Sequence, residues 1–427
     1  MRSRHVVVTG CEAITPAGVG LSSLWDAVVN GRACGEAITG WDISRNASRI
    51  GAAIPDFDAT RHGLSGSDVG RMDRAGQLAF AASRGACRNA GIDIERLDPE
   101  RLGVCIGSAI GGIGFMEREF VRVARRDASN PGAGITIDPV DPRTYGGFLA
   151  SSISTEIARH FGAAGPVTTM GTGCTAGIDA IGTASDMIEA GMADVIITGG
   201  VDAPLTPIVF TSFDNIKALT RRNDAPRRAS RPFDRDRDGF LLSEGCGILV
   251  LEEETHARRR GAEILGRILG FSSLSNAYHM TSLSADGEAL AATLTSCMRR
   301  AGVNADEIDY VNAHGSSTKQ NDRNETAAFK RAFGAHAWRV PISSTKSVLG
   351  HSLGAASAIE TIVCVEALRR GVVPPTANYE NPSEDCDLDY VPNAARDRRL
   401  RVVECNASGF SGIHSALMLG SAESRRA

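Results

Sequence analysis

Short β-branched runs alternate with longer alanine-rich stretches from one end of this chain to the other, which restricts the fold before any single residue is considered. Strands are predicted at His5–Thr9, Leu102–Ile106, Val195–Thr198, Gly247–Leu251, Asp309–Asn312, Val340–Ser344 and Val402–Cys405. Helices are predicted at Ser22–Asn30, Arg74–Ala90, Ile178–Gly191, Gly287–Ala301, Glu325–Phe333 and Ala355–Arg370. Such alternation predicts an α/β fold with sheets covered on both faces. At 427 residues the chain exceeds one ordinary core, so two domains or two halves of a duplicated unit are expected. No short-period repeat is present. The charge block Glu252–Gly261 predicts a solvated helix face joining a first half, residues 1–255, to a second, residues 256–427. Val372–Pro392, rich in Pro, Asn and Asp, predicts a loop crossing the surface.

A net charge of −4 argues against a general nucleic-acid binder, while local basic patches stay open. Ten cysteines without a Cys-x-x-Cys pair predict scattered buried thiols rather than a disulfide framework or a zinc site, which fits a reducing cytoplasm. The N-terminus runs straight into a strand-like segment, with no apolar signal region ahead of it. Phe161–Ile178 is free of charge over about the length of a membrane span, but its Gly, Thr and Pro content predicts strand, loop and helix start instead.

One cysteine stands apart. Cys174 sits among small residues in Thr169-Met-Gly-Thr-Gly-Cys-Thr-Ala-Gly-Ile-Asp179, just before a predicted helix. Unpaired N–H groups and the helix dipole at such a start favour a thiolate. Downstream, His314 opens a loop of small polar residues after a strand, and His351 stands at the start of an alanine-rich helix, five residues after Lys346. Each histidine alone is more often structural. Two in matching strand-to-helix positions, together with Cys174, point to covalent acyl catalysis. Gly409-Phe410-Ser411-Gly412 follows the last predicted strand; it is either a tight turn or a place where a backbone N–H faces a developing oxyanion.

Three other motifs compete. Asp234–Gly239 opens like a calcium loop, but the twelfth position falls on Gly245, with Glu244 one residue early. Gly171–Ala176 fits a dinucleotide fingerprint formally, with Asp194 beyond it, although no clean strand is predicted ahead of it. Gly350-His-Ser-Leu-Gly354 matches a nucleophile elbow around Ser352, with Asp389 or Asp397 and His414 following in hydrolase order. That reading leaves Cys174, His314 and Lys346 without roles, and too many residues separate the strand from the serine for a sharp turn.

Taken together, these residues resemble the β-ketoacyl synthases, the condensing enzymes of the thiolase superfamily. The resemblance runs nearly end to end, through Val6–Gly10, Gly107–Gly112, the Cys174 loop, Leu219–Asp224, Ser230–Asp234, Asp238–Gly245 and the His314, Lys346/His351 and Phe410 motifs. Within the family the chain looks closest to the ketosynthase α subunit of type II polyketide synthases, with the elongating fatty-acid synthase II as the alternative. The resemblance implies a five-layered α-β-α-β-α fold of two similar halves. It implies decarboxylating Claisen condensation of an acyl chain on Cys174 with a malonyl group on an acyl carrier protein. His314 and His351 would be donors to the enolate, Lys346 a nearby charge partnered by Glu360, and Thr318 a supporting residue. The N–H groups of Cys174 and Phe410 would form the oxyanion hole, and Ile110 would line the acyl pocket. No metal or organic cofactor is implied, since phosphopantetheine arrives on the carrier protein. For that acidic partner the resemblance points to Arg222, and less strongly to Arg71, Arg74, Arg125 and Arg126. A heterodimer with a chain-length factor is expected ahead of a homodimer; retention of Cys174 argues against this chain being the non-catalytic factor itself. Ser411 and Ser317 depart from the family pattern, standing where glycine is common.

Overall fold

The computed structural model describes residues 4–128, 141–284 and 286–423, the side chains of 126–128 excepted. Its main sheet has eleven strands. In chain order the members on its main path are β1 (Val6–Thr15), β2 (Leu102–Gly107), β3 (Val167–Met170), β4 (Val195–Asp202), β5 (Gly245–Glu253), β6 (Gly266–Ser275), β7 (Tyr310–Asn312), β8 (Ile342–Ser343), β9 (Val402–Ser408) and β10 (Ile413–Gly420). The remaining strand, Gly18–Val19, pairs back onto β1. Six helices matter here: α1 (Arg74–Asn89), α2 (Ala150–Phe161), α3 (Ala176–Glu189), α4 (Glu288–Ala301), α5 (Lys319–Phe333) and α6 (Gly354–Arg370).

The spatial order β8-β7-β9-β10-β6-β1-β5-β4-β2-β3 contains one pattern twice. Counting outward from the centre, each half runs first, fifth, fourth, second and third strand. In each half the second strand is parallel to its two neighbours, and the last strand is antiparallel to both of its own. Counting only these named strands and helices, each half also reads β-α-β-α-β-α-β-β along the chain. The duplication that the sequence conceals is therefore explicit in the topology.

The halves meet through a short antiparallel seam, Val6–Val8 against Gly266–Ile268. Beyond it they face one another across α3 and α6, because α6 packs on β4 and β5 of one half and on β9 of the other, while α3 touches β2, β4 and β10. α1 and α2 cover the outside of the first half, α4 and α5 the outside of the second. These are the five layers. The central position of α6 explains its sequence: every residue from Gly354 to Leu368 is buried, as expected of a helix that is apolar nearly all round.

Two expectations about the surface fail. Glu252 in the charge block is fully buried at the end of β5, where it takes the Thr9 hydroxyl, His256 and the Arg260 guanidinium; only Glu254–Arg259 forms the short helix. Val372–Pro392 is not a surface crossing throughout, since Val373, Thr376, Tyr390 and Val391 are buried and Tyr390 stacks on Phe233 at 3.9 Å. The strands β3, β6 and β10 and the helix α2 lie outside the predicted elements.

Candidate active site

Four chain segments that leave strand ends close on one cavity, lined by Cys174, Phe240, His314, Thr318, His351, Leu353 and Phe410 among others. β3 ends at Met170, and a single 3₁₀ turn, Gly173–Thr175, carries Cys174 to the start of α3. The turn is clamped: the hydroxyls of Thr172 and Thr175 donate to Asp179 Oδ2 at 2.5 and 2.7 Å, and Ser415 donates to Oδ1 at 2.6 Å. Burial pushes the Cys174 thiol up to about 12, with Asp202 adding to the rise and the Lys346 charge and Phe410 N–H opposing it. The greater thiolate character expected of a helix start is thus outweighed by desolvation in the resting site.

His314 leaves β7 and is held by its backbone: its N–H donates to Glu325 Oε1 at 2.7 Å and the next N–H, of Gly315, to Oε2 at 2.8 Å. Burial and these contacts fix Glu325 beneath the loop, and desolvation raises its carboxyl to about 7. Among the described residues the His314 Nδ1 has no hydrogen-bond partner. His351 lies 5.2 Å from His314 between ring centroids, edge to face at 80°. Its Nδ1 accepts the Leu353 N–H at 3.2 Å, which assigns the proton of the neutral ring to Nε2. Burial first, and the Lys346 charge second, hold both imidazoles well below their ordinary pKa. They are neutral N–H donors, not imidazolium ions.

Lys346 is itself buried and donates to Glu360 Oε1 at 2.5 Å, so the partner expected from sequence is in place. Desolvation raises the Glu360 carboxyl to about 7. Thr318 caps α5 through the Asn321 N–H and meets Ser316 Oγ at 2.9 Å. Ile110 packs with Cys174, Phe210, Leu242 and Leu353 in one apolar cluster. Phe410 is 37% exposed at the turn between β9 and β10; its ring stacks near Phe213, which meets Phe240, which meets His351. Phe213 and Leu353 were not singled out in the sequence, and nothing local marks them. The departures Ser317 and Ser411 both sit at positive φ, 67° and 77°, the region that favours glycine.

The arginines do not form one group. Arg74 is paired with Glu244 and Arg71 with Asp68 and Glu156. Arg222 donates to the Asp236 carbonyl at 3.0 Å. Arg125 is exposed beside Arg118 and Arg122, and the Arg126 side chain lies outside the described residues.

The competing motifs are otherwise engaged. Asp234 is buried against Arg231 and three backbone N–H groups, and among the described residues no group of three or more His, Cys, Asp or Glu is arranged to hold a metal ion. Gly171–Ala176 does follow a strand, contrary to the sequence reading, but Asp194 is bound by Arg4 and Arg101. His414 bonds Ser408, and Asp389 is paired with Arg396, so neither serves Ser352. No described helix is long and apolar enough to cross a membrane.

Comparison with known proteins places the whole chain in one family. Residues 3–257 match the β-ketoacyl synthase N-terminal domain and residues 265–380 its C-terminal domain. The chain is 46% identical to the tetracenomycin polyketide synthase ketoacyl synthase alpha subunit of Streptomyces glaucescens, over 97% of each chain. It is 38% identical to 3-oxoacyl-[acyl-carrier-protein] synthase 2 of Coxiella burnetii, over 98% of this chain and 99% of that one. Among solved structures it is similar to a type II PKS ketosynthase in complex with its acyl-carrier protein and bound to the hexaketide (TM-score 0.91, 36% identity, 99% of this chain and 100% of that one). The ishigamide ketosynthase/chain length factor is similar as well (TM-score 0.88, 33% identity, 98% and 99%).

Proposed function

The chain belongs to the β-ketoacyl synthase family, and from that premise we propose that it is the condensing subunit of a type II polyketide synthase. It is an acyltransferase that joins a Cys174-bound acyl chain to malonyl-acyl carrier protein by decarboxylating Claisen condensation. The observation that carries the reading is the meeting of a helix-start thiol, two neutral buried imidazoles and the Phe410 N–H in one cavity.

In the first half-reaction Cys174 Sγ attacks the acyl thioester, a C–S bond forms, and the carrier's phosphopantetheine thiol leaves with the thiol proton. The N–H groups of Cys174 and Phe410 receive the charge on the thioester oxygen. Burial favours the protonated thiol, and the Lys346 charge and the Phe410 N–H oppose that rise. In the second, malonyl loses carbon dioxide and the electron pair of the broken C–C bond becomes an enolate. His351 Nε2–H and His314 donate to its oxygen. The enolate carbon then attacks the Cys174 thioester, and the thiolate leaves and is reprotonated. The malonyl carboxylate supplies the electron pair, so the proposal needs no resident cofactor.

For assembly, the reading is a heterodimer with a homologous chain-length factor and docking by an acyl carrier protein. In support, β3 is an edge strand with Val167 39% exposed, a strand edge that a partner would cover. Arg222 and Arg125 remain candidates for the carrier contact; Arg71 and Arg74 are weaker because carboxylates already engage them. The decisive experiment co-expresses the chain with a homologous partner and carrier protein and follows the mass of the Cys174-bound chain. Two-carbon growth that requires the partner supports the reading. Elongation by a homodimer alone would move the chain to the fatty-acid branch, which the 38% identity to a 3-oxoacyl synthase keeps as the second reading.

A further inference from the structure

Asp202 ends β4 with no exposed surface and has no part in the steps above. Its Oδ1 accepts the Ser108 hydroxyl at 2.7 Å and the Ile110 N–H at 3.2 Å. Its Oδ2 accepts the Ala109 N–H at 2.9 Å and the Gly354 N–H at 2.7 Å. One carboxylate therefore joins two segments far apart in sequence. The first is the Ser108–Gly111 turn, closed on itself by the Gly111 N–H on Ser108 Oγ (2.9 Å) and carrying Ile110 into the apolar cluster around Cys174. The second is the start of α6.

That second arm leads to the histidine. Gly354 follows Leu353, whose backbone is held at φ 50°, ψ −121°, an unfavourable region for a branched side chain. It is the N–H of this Leu353 that His351 Nδ1 accepts. Anchoring Gly354 fixes the strained residue beside it and, through it, the tautomer and aim of His351. The junction has no slack: a Cβ on Gly354 would lie 2.8 Å from both the Asp202 carboxylate and the Ala109 nitrogen. Asp202 also bears directly on Cys174, whose thiol its charge pushes upward.

We propose that Asp202 is a positioning residue that locks the acyl-pocket turn and the His351 loop to one carboxylate, so that fit of the acyl chain and aim of the decarboxylating imidazole are set together. This rests on the reading of Cys174 as acyl carrier and His351 as enolate donor.

The test uses the assembled complex carrying Asp202→Asn, Asp202→Glu or Ser108→Ala. Three quantities are read: Cys174 acylation by a short and a long acyl carrier thioester, malonyl decarboxylation, and iodoacetamide alkylation of Cys174 against pH. Asparagine keeps the shape but cannot accept through its nitrogen, so decarboxylation should fall about tenfold or more and the acyl-length preference should shift. Cys174 should alkylate about threefold faster near neutral pH, because a like charge has gone, an effect that a purely structural role would not produce. Asp202→Glu should return the alkylation profile toward that of the parent. Ser108→Ala loosens only the pocket arm, so length preference should change more than decarboxylation. A folded Asp202→Asn protein with parental length preference and decarboxylation would overturn the proposal. Should that variant not fold, unchanged length preference in Ser108→Ala would overturn it equally. Condensation that survives Cys174→Ala would instead sink the underlying reading, whatever Asp202 does.

Discussion

The two halves of the molecule share element order and strand arrangement, yet their equivalent strand ends carry different chemistry. In the first half the end of β2 is the Ser108–Gly111 pocket turn, the link from β3 to α3 holds Cys174, and β4 ends in Asp202. In the second half the corresponding places hold His314, then Lys346 and His351, then the Gly409–Phe410 turn. The connection between the last two strands spans residues 203–244 in one half and 409–412 in the other. Duplication supplies equivalent strand ends gathered around one cavity; on the proposed mechanism the first half contributes the acyl-carrying thiol and its pocket turn, and the second half the imidazoles of the malonyl step together with the Phe410 N–H. The central helices α3 and α6 make this division possible, since each begins at a reacting group and both lie between the sheets.

The division breaks most clearly at Cys174. Cys174→Ala should lower condensation by about a thousandfold or more while leaving malonyl decarboxylation measurable, because the nucleophile belongs to one half only. Release of carbon dioxide without chain growth is the result to look for; growth retained would break the comparison. Next come the histidines. His314→Ala and His351→Ala should each lose ~10²–10³ in decarboxylation, the usual cost of one charge-stabilising donor, with far smaller losses in acyl loading. Equal losses in both half-reactions would erase the assignment of one step to each half.

Stability sharpens the comparison further. Lys346→Met leaves Glu360 buried without its cation and should cost about 3–5 kcal/mol in denaturant unfolding. The cost should grow as pH rises above the ordinary carboxylate range, because loss of the Lys346 charge pushes the Glu360 carboxyl further up. The buried carboxyl binds its proton more tightly folded than unfolded, so the folded state is disfavoured once that proton must leave. Acid acts with the opposite sign on the buried histidines of the same half. Burial holds His414 down to about 4, and His314 and His351 are also depressed, so the unfolded chain binds more protons below its ordinary histidine pKa. Unfolding monitored by circular dichroism should therefore become easier as pH falls from about 6.5 toward 4, and less so in His414→Gln.

The smallest effects concern the two serines at positive φ. Ser411 is exposed and its hydroxyl makes no hydrogen bond among the described residues, so Ser411→Gly should stabilise by about 1 kcal/mol through relief of strain. Ser317 is buried and its Oγ accepts the Arg231 N–H at 3.0 Å. Ser317→Gly strands that donor and should destabilise by about 1 kcal/mol net. Denaturation midpoints of the two variants should thus move in opposite directions. Stabilisation of both would show that backbone strain, not the lost hydrogen bond, dominates at both.

Much of this was legible before the fold was known. The predicted helices at Arg74–Ala90, Ile178–Gly191 and Ala355–Arg370 correspond to α1, α3 and α6 within two residues at each end, since alanine-rich runs with clear ends encode helix locally. Strands were harder. β6, Gly266–Ser275, contains an arginine and three serines and exists because β1 and β10 flank it; β3 is a threonine-rich stretch of four residues beside glycine and proline. Glu252 read as solvated because charge normally is; only the approach of Thr9, His256 and Arg260 makes its burial tolerable.

By itself, then, the sequence determined the α/β layering, the reactive residue types and the loops that carry them, all of which depend on neighbours along the chain. The tertiary structure alone decided the repeated strand order, the 5.2 Å approach of His314 to His351, the protonated resting state of Cys174 and the place of Asp202 between two loops. Each of those follows from desolvation or from contacts between residues about forty to two hundred positions apart, and neither quantity is written in any local stretch of sequence.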